Sequence, residues 1–120
     1  MNQIRRIGDS QRWSDVVIHQ NVAEWVEVAT DMTADAAGQV QQVLRQIDET
    51  LLQLKSTKAQ LLKVVVFLSD LQHINELNAQ WDQWVLKGQA PIRACVGTTL
   101  GKACLVEMII TAAVPPVDIQ

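Results

Sequence analysis

Apolar and polar positions recur along this chain with two different periods. Over Ala36–Leu54 the apolar residues Val40, Val43, Leu44, Ile47, Leu51 and Leu54 follow one another in steps of three and four. That spacing sets one stripe along a helix, turned toward a core. Ile74, Leu77, Trp81, Trp84 and Val85 repeat the stripe over His73–Leu86. Ser69 or Asp70 serves as N-cap of this second helix, and Gly88 as its C-terminal stop. The remaining apolar segments read as strands. Val16–His19 and Trp25–Val28 flank Gln20-Asn21, which predicts a hairpin. Leu61–Leu68 holds the β-branched run Val64-Val65-Val66 and predicts a strand buried on both faces. Ile92–Val96 and Cys104–Ala112 predict two more.

The predicted order is β-β-α-β-α-β-β. This is an α+β fold, with two helices packed on one face of a mixed sheet. The other face keeps apolar side chains such as Val17 and needs a cover. In a chain this short the simplest cover is another copy of itself, so the pattern predicts a homo-oligomer.

Size and charge narrow the picture further. A chain of 120 residues is one domain, and it buries roughly two-thirds of its unfolded surface without disulfides or metal. We take residues 1–120 as that domain, with 114–120 a surface tail that carries Pro115 and Pro116. Apolar residues make up 48% and charged residues 19%, which excludes a disordered chain. The net charge of −3 and the pI near 5.2, with no basic cluster beyond Arg5-Arg6, argue against nucleic acid as the main partner. The longest central apolar run, Val64–Leu68, is far short of the ~20 residues of a membrane span. The N-terminal residues lack a secretory pattern, and Cys95 and Cys104 have neither a disulfide nor a zinc spacing. These features predict a cytoplasmic protein with no zinc site and no membrane partner.

Candidate chemistry gathers near the C-terminus. Gly97 and Gly101 mark the connection between the last two strands. If those strands pair as a hairpin, Arg93 lies opposite Glu107. Glu107 has only apolar neighbours in Leu105-Val106-Glu107-Met108-Ile109, a setting that dehydrates a carboxylate and suits a general acid or base. Arg93 offers a planar fork for gripping a carboxylate. The two also fit a simple cross-strand ion pair that only holds the hairpin together. Cys95 reads as a buried, inert thiol more readily than as a nucleophile, because no histidine lies near it in sequence. His19 and His73 have no metal spacing. Trp13 is either a core plug or part of a pocket wall. Asn78 lies one position off the second helical stripe.

Pro91-Ile92-Arg93-Ala94-Cys95-Val96 together with Leu105-Val106-Glu107 resembles the C-terminal signature of the RidA/YjgF family of reactive imine/enamine deaminases. Arg12-Trp13-Ser14-Asp15-Val16-Val17-Ile18-His19 is similar to the N-terminal stretch of its YoaB-like branch. Phe67-Leu68-Ser69-Asp70 and Asn78-Ala79-Gln80-Trp81 fit the family's middle pattern. The resemblance covers nearly the whole chain. It implies a chorismate-mutase-like fold assembled as a homotrimer, with the sheets as an inner barrel and active sites in clefts between subunits. The implied reaction is hydrolysis of 2-imino acids and their enamine forms to 2-keto acids and ammonia, without cofactor. On that resemblance Arg93 binds the substrate carboxylate and the Cys95 backbone N–H helps to hold the substrate. Glu107 positions and activates water, while Trp13 and Asn78 lie at the pocket. Many members carry a Ser/Thr-Gly pair where this chain has Trp25-Val26-Glu27-Val28. Glu27 is therefore expected near the substrate, where it would repel a carboxylate or select another ligand. A non-catalytic member of the fold, binding a small metabolite or a partner protein, is the competing reading. RNA cleavage is a third, disfavoured by the acidic charge.

Overall fold

In the computed structural model, which describes residues 3–116, the helical stripes and strand runs resolve into six strands and two long helices. Strand β1 is Ile4–Ile7, β2 Val16–His19, β3 Val22–Val28, β4 Leu61–Leu68, β5 Ile92–Gly97 and β6 Val106–Ala113. Helix α1 is Ala36–Gln53 and α2 is Ile74–Trp84. The α+β class with two helices on a mixed sheet is as the sequence predicts. The structure adds β1 in front of the predicted order. Its Ile4-Arg5-Arg6-Ile7 has two apolar residues three apart, so it shows no strand alternation.

Local chemistry explains the element ends. Gln20 and Asn21 both adopt left-handed backbone, with φ of 52° and 64°. This is the two-residue turn whose twist matches a hairpin, and it sets Val16 opposite Trp25 and His19 opposite Val22. The Asp35 carboxylate accepts from the Gly38 N–H at 2.9 Å and caps α1. At the other end Lys55 turns left-handed, and the Ser56 N–H returns to the Leu51 carbonyl at 2.8 Å. The Asp70 carboxylate accepts from the Gln72 N–H and opens a short 3-10 turn, Leu71–His73, ahead of α2.

The sheet order is β1-β2-β3-β6-β4-β5. Every neighbouring pair is antiparallel except β4 and β5, which are parallel. Thus β5 and β6 do not form the expected hairpin. β4, α2 and β5 form a crossover unit instead, and β6 runs between β3 and β4. A parallel partner needs a long connection, and α2 supplies it.

Both helices pack on one face. From the sheet they meet Val16, Ile18, Ala23, Trp25, Val64, Val66, Leu68, Val106, Met108 and Ile110, and from α1 Val40, Val43, Ile47 and Leu51 complete the core. Burying each of the larger side chains contributes about 1.5–3 kcal/mol. The opposite face is open. Val65 and Phe67 on β4 are half-buried, so the expected burial of this strand on both faces is not met within one chain. The expected surface tail also begins late: Val114 is buried, and its N–H donates to the Asn21 carbonyl at 2.9 Å. The part of that tail beyond residue 116 lies outside the described residues.

Candidate functional site

Strand β5 is an edge strand, and its register decides where Arg93 and Cys95 point. Arg93 pairs with Val64 and Cys95 with Val66, both fully buried beneath the helices. Paired residues share a face, so both side chains lie on the helix side. Cys95 packs against the core. Burial pushes its thiol up from the ordinary value, and the Arg93 cation offsets part of the rise. The Arg93 guanidinium carbon lies 5.3 Å from the centroid of the Trp81 ring.

The backbone of β5 carries a second feature. The Thr98 N–H donates to the Leu68 carbonyl at 3.0 Å. Successive residues of a strand direct their N–H groups to opposite sides, so Val96 and Ala94 turn theirs toward β4. Cys95 and Arg93 then direct theirs away from the sheet, along its free edge. The edge thus offers outward N–H groups, those of Arg93 and Cys95 among them, beside one cationic side chain.

Glu107 lies elsewhere. It pairs with Val28 on one side and Phe67 on the other, and Phe67 in turn pairs with Val96. Val28, Glu107, Phe67 and Val96 therefore form one row across the open face, with the acid among apolar neighbours. Glu107 and Arg93 are on opposite faces of the sheet, which removes the expected cross-strand ion pair. The expected dehydration of Glu107 is not met within one chain either. Its sequence neighbours Val106 and Met108 go to the helix face and are fully buried, while Glu107 is half-buried on the open face. Burial pushes the Cys104 thiol up, and the Glu107 charge adds to the rise.

The other candidates divide between these places. Trp13 is 64% exposed, in the loop between β1 and β2, and is no core plug. The sheet between β1 and β5 is five strand spacings wide, roughly 24 Å, so Trp13 and Arg93 of one chain stand at opposite edges. Asn78 is half-buried on α2, one turn before Trp81 and on the same side of the sheet as Arg93. Glu27, expected beside the substrate, is held against α1. It accepts from Gln46 Nε2 at 3.0 Å, Thr50 Oγ1 at 2.8 Å and Trp25 Nε1 at 3.1 Å. Its neighbour Val28, not Glu27, shares the face of Glu107. His73 pairs with Glu76 at 3.4 Å. Among the described residues no cluster of three or more His, Cys, Asp or Glu side chains is arranged to hold a metal, and no helix is long and apolar enough to cross a membrane.

Two residues escaped the sequence reading. Gln39 is fully buried. Its Nε2 donates to the carbonyls of Met32 (3.3 Å), Ala34 (3.1 Å) and Ala103 (2.9 Å), and its Oε1 accepts from the Leu105 N–H at 2.9 Å. It fixes the loop that leads into Glu107. A polar residue three positions after Ala36 and beside Val40, on the apolar stripe, was the available signal. Trp81 was read as core alone, and its contact with Arg93 needs the crossover to be seen.

A family model described as Endoribonuclease L-PSP matches residues 4–114. The chain belongs to this family. As an L-PSP family member it is 40% identical over 112 residues to the RutC family protein YoaB of Escherichia coli strain K12, covering 92% of this chain and 98% of that one. It is 37% identical over 113 residues to a RutC family protein of Haemophilus ducreyi, with coverages of 92% and 97%. Among solved structures, a YjgF family member from Neisseria meningitidis superposes with a TM-score of 0.86 at 34% identity, covering 96% of this chain and 98% of that one. These matches place this L-PSP protein in the RidA/YjgF family and its YoaB-like branch.

Proposed function

We propose that this protein hydrolyses reactive 2-imino acids and their enamine forms to 2-keto acids and ammonia, in clefts between the subunits of a cytoplasmic homotrimer. The observation that carries the reading is how the candidate groups are distributed. Arg93 stands at a free sheet edge without an acidic partner among the described residues, beside the outward N–H of Cys95. Glu107 lies on the opposite, uncovered face. One chain does not close a pocket around both, whereas a second copy laid on the open face brings its own edge to Glu107.

In this arrangement the Arg93 fork takes the substrate carboxylate, and the Cys95 N–H holds one of its oxygens. Glu107 of the neighbouring copy orients a water and takes its proton as the oxygen attacks the imine carbon. The carbinolamine so formed expels ammonia when the proton is returned to nitrogen, leaving the keto acid. A protonated imine is already a strong electrophile, so positioning and charge complementarity supply the rate. Trp13 of an adjoining copy and Asn78 complete the walls. The reaction uses no cofactor.

The test is keto acid release from an imine generated in situ by an amino-acid oxidase, with semicarbazide as competing trap. Wild type accelerates release, and Arg93→Ala and Glu107→Gln each lose about 100-fold or more. Light scattering gives a mass three times 13.4 kDa. No acceleration over water, with retained keto acid binding, favours the second reading, a metabolite-binding member of the fold. That reading draws on Glu27 and on the bulk of Val28, which pairs with Glu107 on the open face. The RNA cleavage in the family model's description is opposed here by the net charge of −3 and by a sequence with no Lys/Arg cluster beyond Arg5-Arg6.

A further inference from the structure

Arg93 is half-buried, yet among the described residues no ion pair or hydrogen bond holds it. What holds it is the Trp81 ring, 5.3 Å from the guanidinium carbon. An arginine can be fixed by a carboxylate or by an aromatic face, and the two have opposite consequences for a ligand. A carboxylate takes the N–H fork and competes with any acid that arrives. A ring attracts the cation through its quadrupole and uses none of the N–H donors.

The ring is itself pinned. Trp81 is 6% exposed, and its centroid lies 5.3 Å from that of Trp84 at a tilt of 49°. The Trp84 indole N–H donates to Asp48 Oδ1 at 3.0 Å, which ties the pair to α1. Lys58 Nζ lies 5.3 Å from the Trp84 centroid and donates to the Trp84 carbonyl at 2.8 Å. Arg93, Trp81, Trp84 and Lys58 thus form a row of two rings flanked by two cations, anchored at Asp48.

We propose that Trp81 is a positioning residue for carboxylate recognition: it fixes Arg93 at the β5 edge while leaving the guanidinium fork free for the carboxylate of a 2-keto or 2-imino acid. This deepens the deaminase reading and rests on it. Without the ring, Arg93 samples several rotamers and must be ordered by the ligand itself, which weakens binding. The bound carboxylate also neutralises the cation over Trp81, so ligand binding is reported in the emission of that indole.

The experiment uses the full chain and 2-oxobutanoate as probe, with binding followed by calorimetry and by tryptophan fluorescence. Trp81→Leu raises the dissociation constant about 3- to 10-fold, and Trp81→Phe, which keeps a weaker ring, lies between it and wild type. With imine substrate the loss appears in KM, with kcat changed less than about twofold. With Trp13→Phe introduced into both proteins, so that the indole at the pocket wall does not contribute, the emission change on binding is present with Trp81 and absent in Trp81→Phe, although that variant still binds. Binding by both variants within twofold of wild type, with Arg93→Ala abolishing it, overturns the positioning role and leaves the deaminase reading standing. Binding by Arg93→Ala at the wild-type level removes both. Should Trp81→Leu not fold, Trp81→Phe decides through its affinity and its lost emission change.

Discussion

Strand β6 carries two stripes with opposite surroundings. Val106, Met108, Ile110 and Ala112 lie beneath the helices and have essentially no exposed surface, whereas Glu107, Ile109 and Thr111 alternate with them on an uncovered face and remain half-buried. The covered face is apolar with no acid among its β6 residues, and the open face sets Glu107 among Val28, Phe67 and Ile109. The contrast teaches that burial within one chain is concentrated on a single face, which leaves the acid of β6 on the other. It also sorts the candidate site residues by face, because Arg93 and Cys95 belong to the covered side and reach solvent only at the β5 edge.

The largest test of this contrast compares adjacent residues. Met108→Ala costs about 3–5 kcal/mol in urea unfolding, as expected for a cavity in a closed core. Ile109→Ala costs less than about 1 kcal/mol if its face meets only water. If a second copy covers that face, the cost exceeds about 2 kcal/mol and the midpoint rises with protein concentration. We expect the latter, and a concentration-independent midpoint with little loss at Ile109 would return the open face to solvent. Next in size, Gln39→Leu loses about 2–3 kcal/mol in thermal unfolding, because the Ala103 carbonyl and the Leu105 N–H lose a buried partner. A neutral result would show that the loop before Glu107 is held some other way. The smallest effect concerns the thiol on the covered side of β5. Burial disfavours the thiolate, so alkylation of Cys95 by iodoacetamide rises through a midpoint above the ordinary thiol value of 9.0. Arg93→Ala moves it slightly further up, since the cation favours the thiolate. The unfolded chain deprotonates first as pH rises past the ordinary value, so this thiol subtracts stability only on the alkaline side. An Arg93→Ala midpoint at or below that of wild type would separate the two side chains.

Much of the fold was legible because local signals and burial agree. The stripe from Val40 to Leu51 named α1, and Gln20-Asn21 named the hairpin turn that the left-handed φ values require. The misreadings share one cause. Arg93 and Glu107 are near in sequence, and the glycines between them resemble a tight connection, but the long connection through α2 makes β4 and β5 parallel neighbours instead. That choice depends on non-local packing, which residue types alone do not express. Glu107 was misjudged for a related reason: apolar neighbours in sequence dehydrate a strand residue only if they share its face, and alternation sends Val106 and Met108 to the other one. For Glu27, expected near the substrate on the resemblance, the donors that hold it, Gln46 and Thr50, come from α1 and become visible only when the layers are assembled.

The position of β6 between β3 and β4 has a consequence for how the molecule is made. This strand follows every other described element in chain order, yet it occupies the interior of the sheet, pairing Val22 with Ala113 and Val64 with Ile110. During synthesis the segments of the β1–β3 meander and of the β4–α2–β5 unit emerge before β6, and the edges that β3 and β4 turn to it have no partner until it arrives. Joining them closes long loops, a slow step for any chain. Until it occurs, both edges are open to other nascent chains. Completion of the fold and concealment of its most adhesive backbone are therefore a single late event.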